Sequence, residues 1–186
     1  MRILMHVCCG PCSLYPLDLL RGEGHEVIGW FHNPNIHPYR EFKARMAAVR
    51  EVEARKNFPV DIDEHYGLTP FLRKVVYHEA VRCFSCVDMR LESTVEKAKQ
   101  IGAEGFTTSL LYSKYQNHAH IKKKGEELAA ANNLSFVYED FRLGWQEGIE
   151  QSLALELYRQ PYCGCIYSEQ ERYDKKMRKK ISKSKK

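Results

Sequence analysis

No apolar run in the 186 residues approaches the roughly 18 that a membrane span needs. The first apolar stretch, Ile3 to Val7, is about half a secretory h-region and meets cysteines instead of a small-residue cleavage site. Both absences predict a cytoplasmic protein with no membrane attachment, in a compartment where structural disulfides are rare. There is no internal repeat and no linker long enough to divide the chain. We therefore expect one domain over residues 1–174, followed by a tail, 175–186, with eight Lys or Arg and no acid. The formal net charge of +5 comes from that tail: the other 174 residues hold 21 Lys or Arg against 24 Asp or Glu, a net of −3. Such a tail is either a solvated end or an arm that contacts nucleic-acid phosphates without reading sequence. Also missing is a glycine-rich phosphate cradle. Where the first strand should lead into one, the chain reads Cys8-Cys-Gly-Pro-Cys12, with one glycine and a proline that lacks an N–H.

Cysteine is present in excess: seven residues in a chain expected to stay reduced, which points to metal or redox chemistry. Cys8, Cys9 and Cys12 fall in a predicted turn between an apolar strand and a helix opened by Pro11. The positive end of a helix favours thiolates, and adjacent thiolates call for a bound cation. Cys83 and Cys86 stand three apart where another helix begins. With Cys8 and Cys9 they make four thiols, the count used by tetrahedral zinc and by a [4Fe–4S] cluster. Zinc ribbons favour two C-x-x-C knuckles, so the adjacent pair fits a cluster better; zinc and uncoordinated thiols remain open. Cys12 is then a spare ligand, a ligand to a second metal, or a small buried residue. Cys163-Gly-Cys165 is either a pair packed in the core or a dithiol able to deliver two electrons and two protons.

Strands are expected at Ile3–Val7, Glu26–Phe31, Phe58–Ile62, Gly105–Ser109 and Leu134–Tyr138. Helices are expected at Ser13–Arg21, Tyr39–Lys56, from Thr69-Pro70 as cap and first turn, Asp88–Ile101, up to Asn132, Ile149–Arg159 and Ser168–Lys180. The alternation predicts an α/β fold, a five-stranded parallel sheet with helices on both faces. In such sheets ligands bind beyond the carboxyl ends of the strands. Both cysteine groups near helix starts fall on that edge, as do the loops carrying His32, Asn33, Tyr112, Gln116, His118, Asp140 and Arg142. His6, inside the first strand, is expected to be buried and hydrogen-bonded. His118 and His120 are candidate phosphate contacts. Tyr39, Tyr112 and Tyr115 with Arg40 and Arg45 are a candidate stacking and phosphate surface. Asp140 is a candidate metal ligand, proton donor or cap.

Several stretches, in order, carry a family pattern: His6-Val-Cys-Cys-Gly-Pro-Cys12, Asn33-Pro-Asn-Ile-His37, Arg82-Cys-Phe-Ser-Cys86, Thr107-Thr-Ser-Leu-Leu-Tyr-Ser-Lys-Tyr-Gln116, Asp140-Phe-Arg142 and Tyr158-Arg-Gln-Pro-Tyr-Cys-Gly-Cys165. Together they resemble the epoxyqueuosine reductase QueH family from residue 2 to about residue 168; the tail lies outside the pattern. The fold expected with it is a Rossmann-like, adenine-nucleotide-hydrolase-like sheet. The resemblance implies the last step of queuosine synthesis, reduction of the epoxide on the wobble base of tRNA. It implies a [4Fe–4S] cluster on Cys8, Cys9, Cys83 and Cys86, and an adjacent second metal, iron or zinc, with Cys12 and Asp140 as candidate ligands. It implies no cobalamin, and an electron donor of unidentified nature. Cys163, Cys165 and Asp140 are the candidate catalytic residues. Two rivals are an ATP-using tRNA sulfur-transferase-type enzyme and a zinc-stabilised RNA-binding module.

Overall fold

The computed structural model describes residues 1–178. Five strands, β1 (Arg2–His6), β2 (Glu26–Phe31), β3 (Val60–Ile62), β4 (Gly105–Thr108) and β5 (Ser135–Phe136), form one sheet in the order β3-β2-β1-β4-β5. Every pairing is parallel. The central strand reads as a continuous apolar run because both its faces are covered: Ile3, Leu4 and Met5 are fully buried. The helices are α1 (Gly10–Gly22), α2 (Tyr39–Lys56), α3 (Leu68–Val75), α4 (Arg82–Gln100), α5 (His118–Asn132), α6 (Trp145–Ala154) and α7 (Ile166–Tyr173). α1 packs against α2 and α6, whereas α4 packs against α5 and the strands β1 and β4. Right-handed crossovers from a sheet that grows both ways from β1 require this division between two faces. Among the described residues no helix is long and apolar enough to cross a membrane.

The chain reverses its direction of growth at β1, between β2 on one side and β4 on the other. The crevice beyond the carboxyl ends of β1 and β4 is thus the topological switch point. The Cys8–Cys12 turn leaves β1 there, and a one-turn 3-10 helix, Ser109–Tyr112, leaves β4 beside it.

Several boundaries differ from the sequence expectation. α1 starts three residues early because Gly10 and Pro11 are accommodated in its first turn. Phe58 precedes β3 and is buried in the core rather than paired in the sheet. Gly67, not Thr69, caps α3, and it lies so close to Pro34 that a Cβ there would meet Pro34 Cβ at 2.3 Å. The helix expected at 149–159 runs instead over 145–154, followed by Glu156 at φ +51°. The last helix expected, 168–180, begins at Ile166 and closes at Asp174 as α7. Residues 175–178 of the basic tail are helical; 179–186 lie outside the described residues.

Candidate active site

The β1–α1 turn gathers three thiols. The Sγ atoms of Cys8, Cys9 and Cys12 all lie within 4.8 Å of one another, and Cys8 and Cys9 are 3.8 Å apart. Gly10 makes this turn possible: a Cβ there would come within 2.6 Å of the Ala48 carbonyl oxygen on α2. Ser109 stitches the turn to β4. It accepts from the Cys8 amide at 3.0 Å and donates to Cys8 Sγ at 3.3 Å. Gln160 Nε2 donates to Cys9 Sγ at 2.9 Å and to Cys12 Sγ at 3.2 Å. Donation from Cys12, then Cys9 and Ser109, holds the Cys8 thiol well below its ordinary pKa. Burial raises Cys9, and the hydrogen bond it shares with Cys8 raises Cys12. Of the three, Cys8 is therefore the thiol that ionises most readily.

His6 is fully buried behind this turn, bonded to Thr108 Oγ1 at 2.9 Å, as its place in a strand predicted. Burial, followed by the Arg90 charge, pulls its pKa down to about 3, so it is neutral.

Cys83 and Cys86 are not part of that converging group: among the described residues only Cys8, Cys9 and Cys12 bring their sulfurs within 4.8 Å of one another. Cys86 is buried at the start of α4 with Phe71, Val75 and Cys165. Burial pushes its pKa up to about 12, and Arg90 Nη2 donates to its sulfur at 3.2 Å. Cys83 is exposed and raised in the same sense by partial burial of its sulfur. Cys163 is exposed and accepts from Gln116 Nε2 at 3.3 Å, while Cys165 caps α7 from a buried position. Gly164 between them has φ +148°, a backbone region that side chains avoid. All seven cysteines are free thiols.

One cavity of about 470 Å³ adjoins the β1–α1 turn; Cys8, Cys12 and Cys163 line it, together with Arg45, Arg90 and Gln160. Arg45 is 2% exposed and bonds Glu41 Oε1 at 2.7 Å, the Cys163 carbonyl at 2.9 Å and the Tyr162 carbonyl at 2.8 Å. Glu41 also accepts from the Tyr158 hydroxyl. Asn33, Tyr112 and Gln116 line the cavity as the sheet-edge argument expected.

Other candidates are engaged elsewhere. Asp140 is gripped by Arg142 Nε and Nη2 at 2.7 and 2.6 Å, which lowers its pKa, and it caps the next 3-10 turn. It does not line the cavity. His32 pairs with Asp63 and His120 with Asp88, each at 2.7 Å, while His118 is buried against the Ser113 carbonyl. The surface expected from Tyr39, Arg40 and Arg45 does not form, since Arg45 turns inward and Tyr39 packs on Phe42 and Tyr66. Sequence reasoning assigned no role to Arg90, Ser109, Glu41 or Gln160. Gln160 sits within a motif that was singled out only for its cysteines.

The donor set fits a soft metal centre. Three sulfurs converge, that of Cys8 with a lowered pKa, and on the same wall the buried Asn35 Oδ1 has no hydrogen-bond partner among the described residues. The fold and site define a parallel α/β protein with a thiol-lined cavity at its topological switch point, suited to metal and redox chemistry. A family model described as epoxyqueuosine reductase QueH matches residues 3–171, and the chain belongs to that family. It is 35% identical to the epoxyqueuosine reductase QueH of Dehalococcoides mccartyi, covering 94% of this chain and 96% of the relative. The Thermotoga maritima protein of the same name is 34% identical, with 93% of each chain covered. The Helicobacter pylori protein of that name is 36% identical over 89% of this chain but only 49% of its own length. These matches do not favour the sulfur-transferase and RNA-binding alternatives.

Proposed function

We propose that the chain reduces the epoxide of epoxyqueuosine in tRNA to the cyclopentene of queuosine, without cobalamin. Membership of the family supports the reaction. The observation that carries the chemistry is that Cys8, Cys12 and Cys163, from opposite ends of the sequence, line one cavity. The four-thiolate set Cys8, Cys9, Cys83 and Cys86 would hold a [4Fe–4S] cluster, with Cys12 toward a second metal, iron or zinc. When bound, this centre supplies single electrons and a Lewis acid for an epoxide oxygen.

The chain's own residues have definable tasks. Ser109 and Gln160 orient the thiolates by donating to their sulfurs, and Arg45 and Arg90 offset the negative charge from buried positions. Removing the oxygen as water requires two electrons and two protons. Cys163 and Cys165 contain both: closing their disulfide releases two electrons and two protons, and an external donor must then reduce it. The Cys163 thiol faces the cavity and is the group that protonates the departing oxygen. Asp140, held ionised by Arg142, is poorly suited to that task. The protein acts in the cytoplasm, where tRNA and a reduced donor are both available.

Anaerobic purification, iron and sulfide assay, and incubation with tRNA bearing epoxyqueuosine test the reading. A brown protein with about four irons and four sulfides that yields queuosine is expected. A colourless protein holding stoichiometric zinc and inert on that tRNA would sink it.

A further inference from the structure

The charged side chains of the cavity wall are all cationic. Four arginines line it, Arg45, Arg90, Arg159 and Arg172, and no Asp or Glu does. Two are committed inward: Arg45 to Glu41 and the Cys163 loop, Arg90 to Cys86. Arg159 and Arg172 are exposed, and among the described residues neither makes a hydrogen bond or an ion pair through its guanidinium. Two unneutralised guanidinium groups beside a site free of carboxylates attract an anion whose oxygens can take their planar fork of donors two at a time, which phosphate provides.

The cavity is lined by aromatic rings as well. Trp145 stacks on Tyr112 with ring centroids 5.1 Å apart and planes 23° apart, and Tyr112 donates to the Trp145 carbonyl at 2.7 Å. Gly148 leaves room for this stack: a Cβ there would meet the Tyr112 hydroxyl at 2.4 Å. Tyr115 stands edge-on to Trp145, is 86% exposed, and also lines the cavity. Lys114 Nζ lies 5.0 Å from the centre of the Trp145 ring. The next residue, Gln116, touches Cys163 Sγ. An exposed ring set edge-on to Trp145, one residue from the contact to a reactive thiol, is a platform for a base beside the one undergoing reaction.

We infer that the cavity rim is a single-stranded RNA cleft, in which Tyr115 stacks a base flanking the modified nucleotide while Arg159 and Arg172 hold the adjoining phosphates. The inference rests on the tRNA reading above and adds how the strand is held. The cleft takes its strand from RNA rather than from a free nucleotide, because a flanking base and its phosphates exist only in a chain.

The test uses the purified, metal-loaded protein and anticodon stem-loop RNAs carrying 2-aminopurine on one side or the other of the wobble nucleotide. Binding should quench the fluorophore at one of the two positions. Tyr115→Ala should abolish that quenching and weaken binding between about five- and a hundred-fold, while Tyr115→Phe retains both. Arg159→Ala and Arg172→Ala should each lower the slope of log affinity against log salt by roughly 0.7. All three side chains are exposed, so the variants should fold, which circular dichroism checks. Unchanged quenching in Tyr115→Ala, unchanged salt slopes in both arginine variants, or equal losses with free 2-aminopurine riboside monophosphate would each overturn the inference. Binding needs no turnover: a protein that grips RNA in this way but leaves the epoxide intact defeats the activity reading and leaves the cleft standing.

Discussion

Arg45 on α2 donates through Nη1 to the backbone carbonyl of Cys163, 118 residues further along the chain, at 2.9 Å. The same side chain takes the Tyr162 carbonyl and the Glu41 carboxylate, and its charge acts on the Cys9 thiol. One buried cation therefore fixes the Cys-Gly-Cys loop and biases the three-thiol turn. Arg45→Met leaves Glu41, 7% exposed, with an uncompensated charge. The expected loss is about 3 kcal/mol in urea denaturation. Arg45→Lys restores the charge but not the fork of donors, and should recover part of the stability while the loop stays loosened.

The Tyr158 hydroxyl, donated to Glu41, gives this network a pH signature. Burial, then the Glu41 bond, raises the tyrosine from its ordinary 10 to about 12. Between those values the folded protein binds a proton that the unfolded chain has released. Stability contributed by Tyr158 is therefore complete below pH 10 and lost as pH rises toward 12. The difference in unfolding free energy between wild type and Tyr158→Phe should hold up to about pH 10 and shrink from there toward pH 12. A constant difference would show that the hydroxyl is not held protonated.

Two opposing effects meet at Gly10. Helix propensity favours Ala over Gly by about 1 kcal/mol within a helix. The new Cβ, however, would press on the Ala48 carbonyl oxygen at 2.6 Å and carbon at 2.9 Å, which are main-chain atoms of a packed helix. Overpacking of this kind costs about 1–3 kcal/mol. Gly10→Ala should therefore lower the thermal midpoint and reduce the metal recovered with the protein. A stabilised variant with full metal would mean that α1 and α2 separate easily.

The sheet, its parallel sense and the position of the cavity were legible in the sequence because they follow from strand–helix alternation and a handedness rule. Cys8, Cys9 and Cys12 were legible as a group because neighbours in sequence share a turn. The partners of those thiols were not. Arg90 reaches Cys86 from one turn along α4, a charge set on the buried face it shares with Val87, Leu91 and Val95, and Gln160 reaches Cys9 across 151 positions. Neither pairing leaves a local pattern. The helix expected at 149–159 failed for a related reason: Gly144 and Gly148 argue against helix locally, but their lack of side chains lets Tyr15 and Tyr112 pack on α6.

The ligand set separates by metal content. With Cys8, Cys9, Cys83 and Cys86 around a cluster, replacing any one by Ser should remove most of the iron and sulfide. Cys12→Ser should keep about four irons and lose only the additional metal. If the compact group Cys8, Cys9 and Cys12 is the whole site, the pattern inverts: Cys12→Ser strips the metal, and Cys83→Ser on exposed Cys83 changes nothing. Metal analysis of the five single variants, prepared without oxygen, decides between the two.

The dithiol makes the sharpest kinetic demand. Gly164 at φ +148° places exposed Cys163 in the cavity and turns Cys165 beneath it against Phe71, Val75 and Cys86. Both cysteines of the loop are free thiols, so the pair is in its reduced form. Cys163→Ser and Cys165→Ser proteins with full metal should each lose repeated turnover, because neither can release two electrons and two protons as a pair. Multiple-turnover assays should fall by at least two orders of magnitude, the usual scale for losing a positioned proton donor. Repeated turnover at the wild-type rate in either variant would take the electrons away from these cysteines and leave Gln116 and Arg45 holding a loop of purely structural importance.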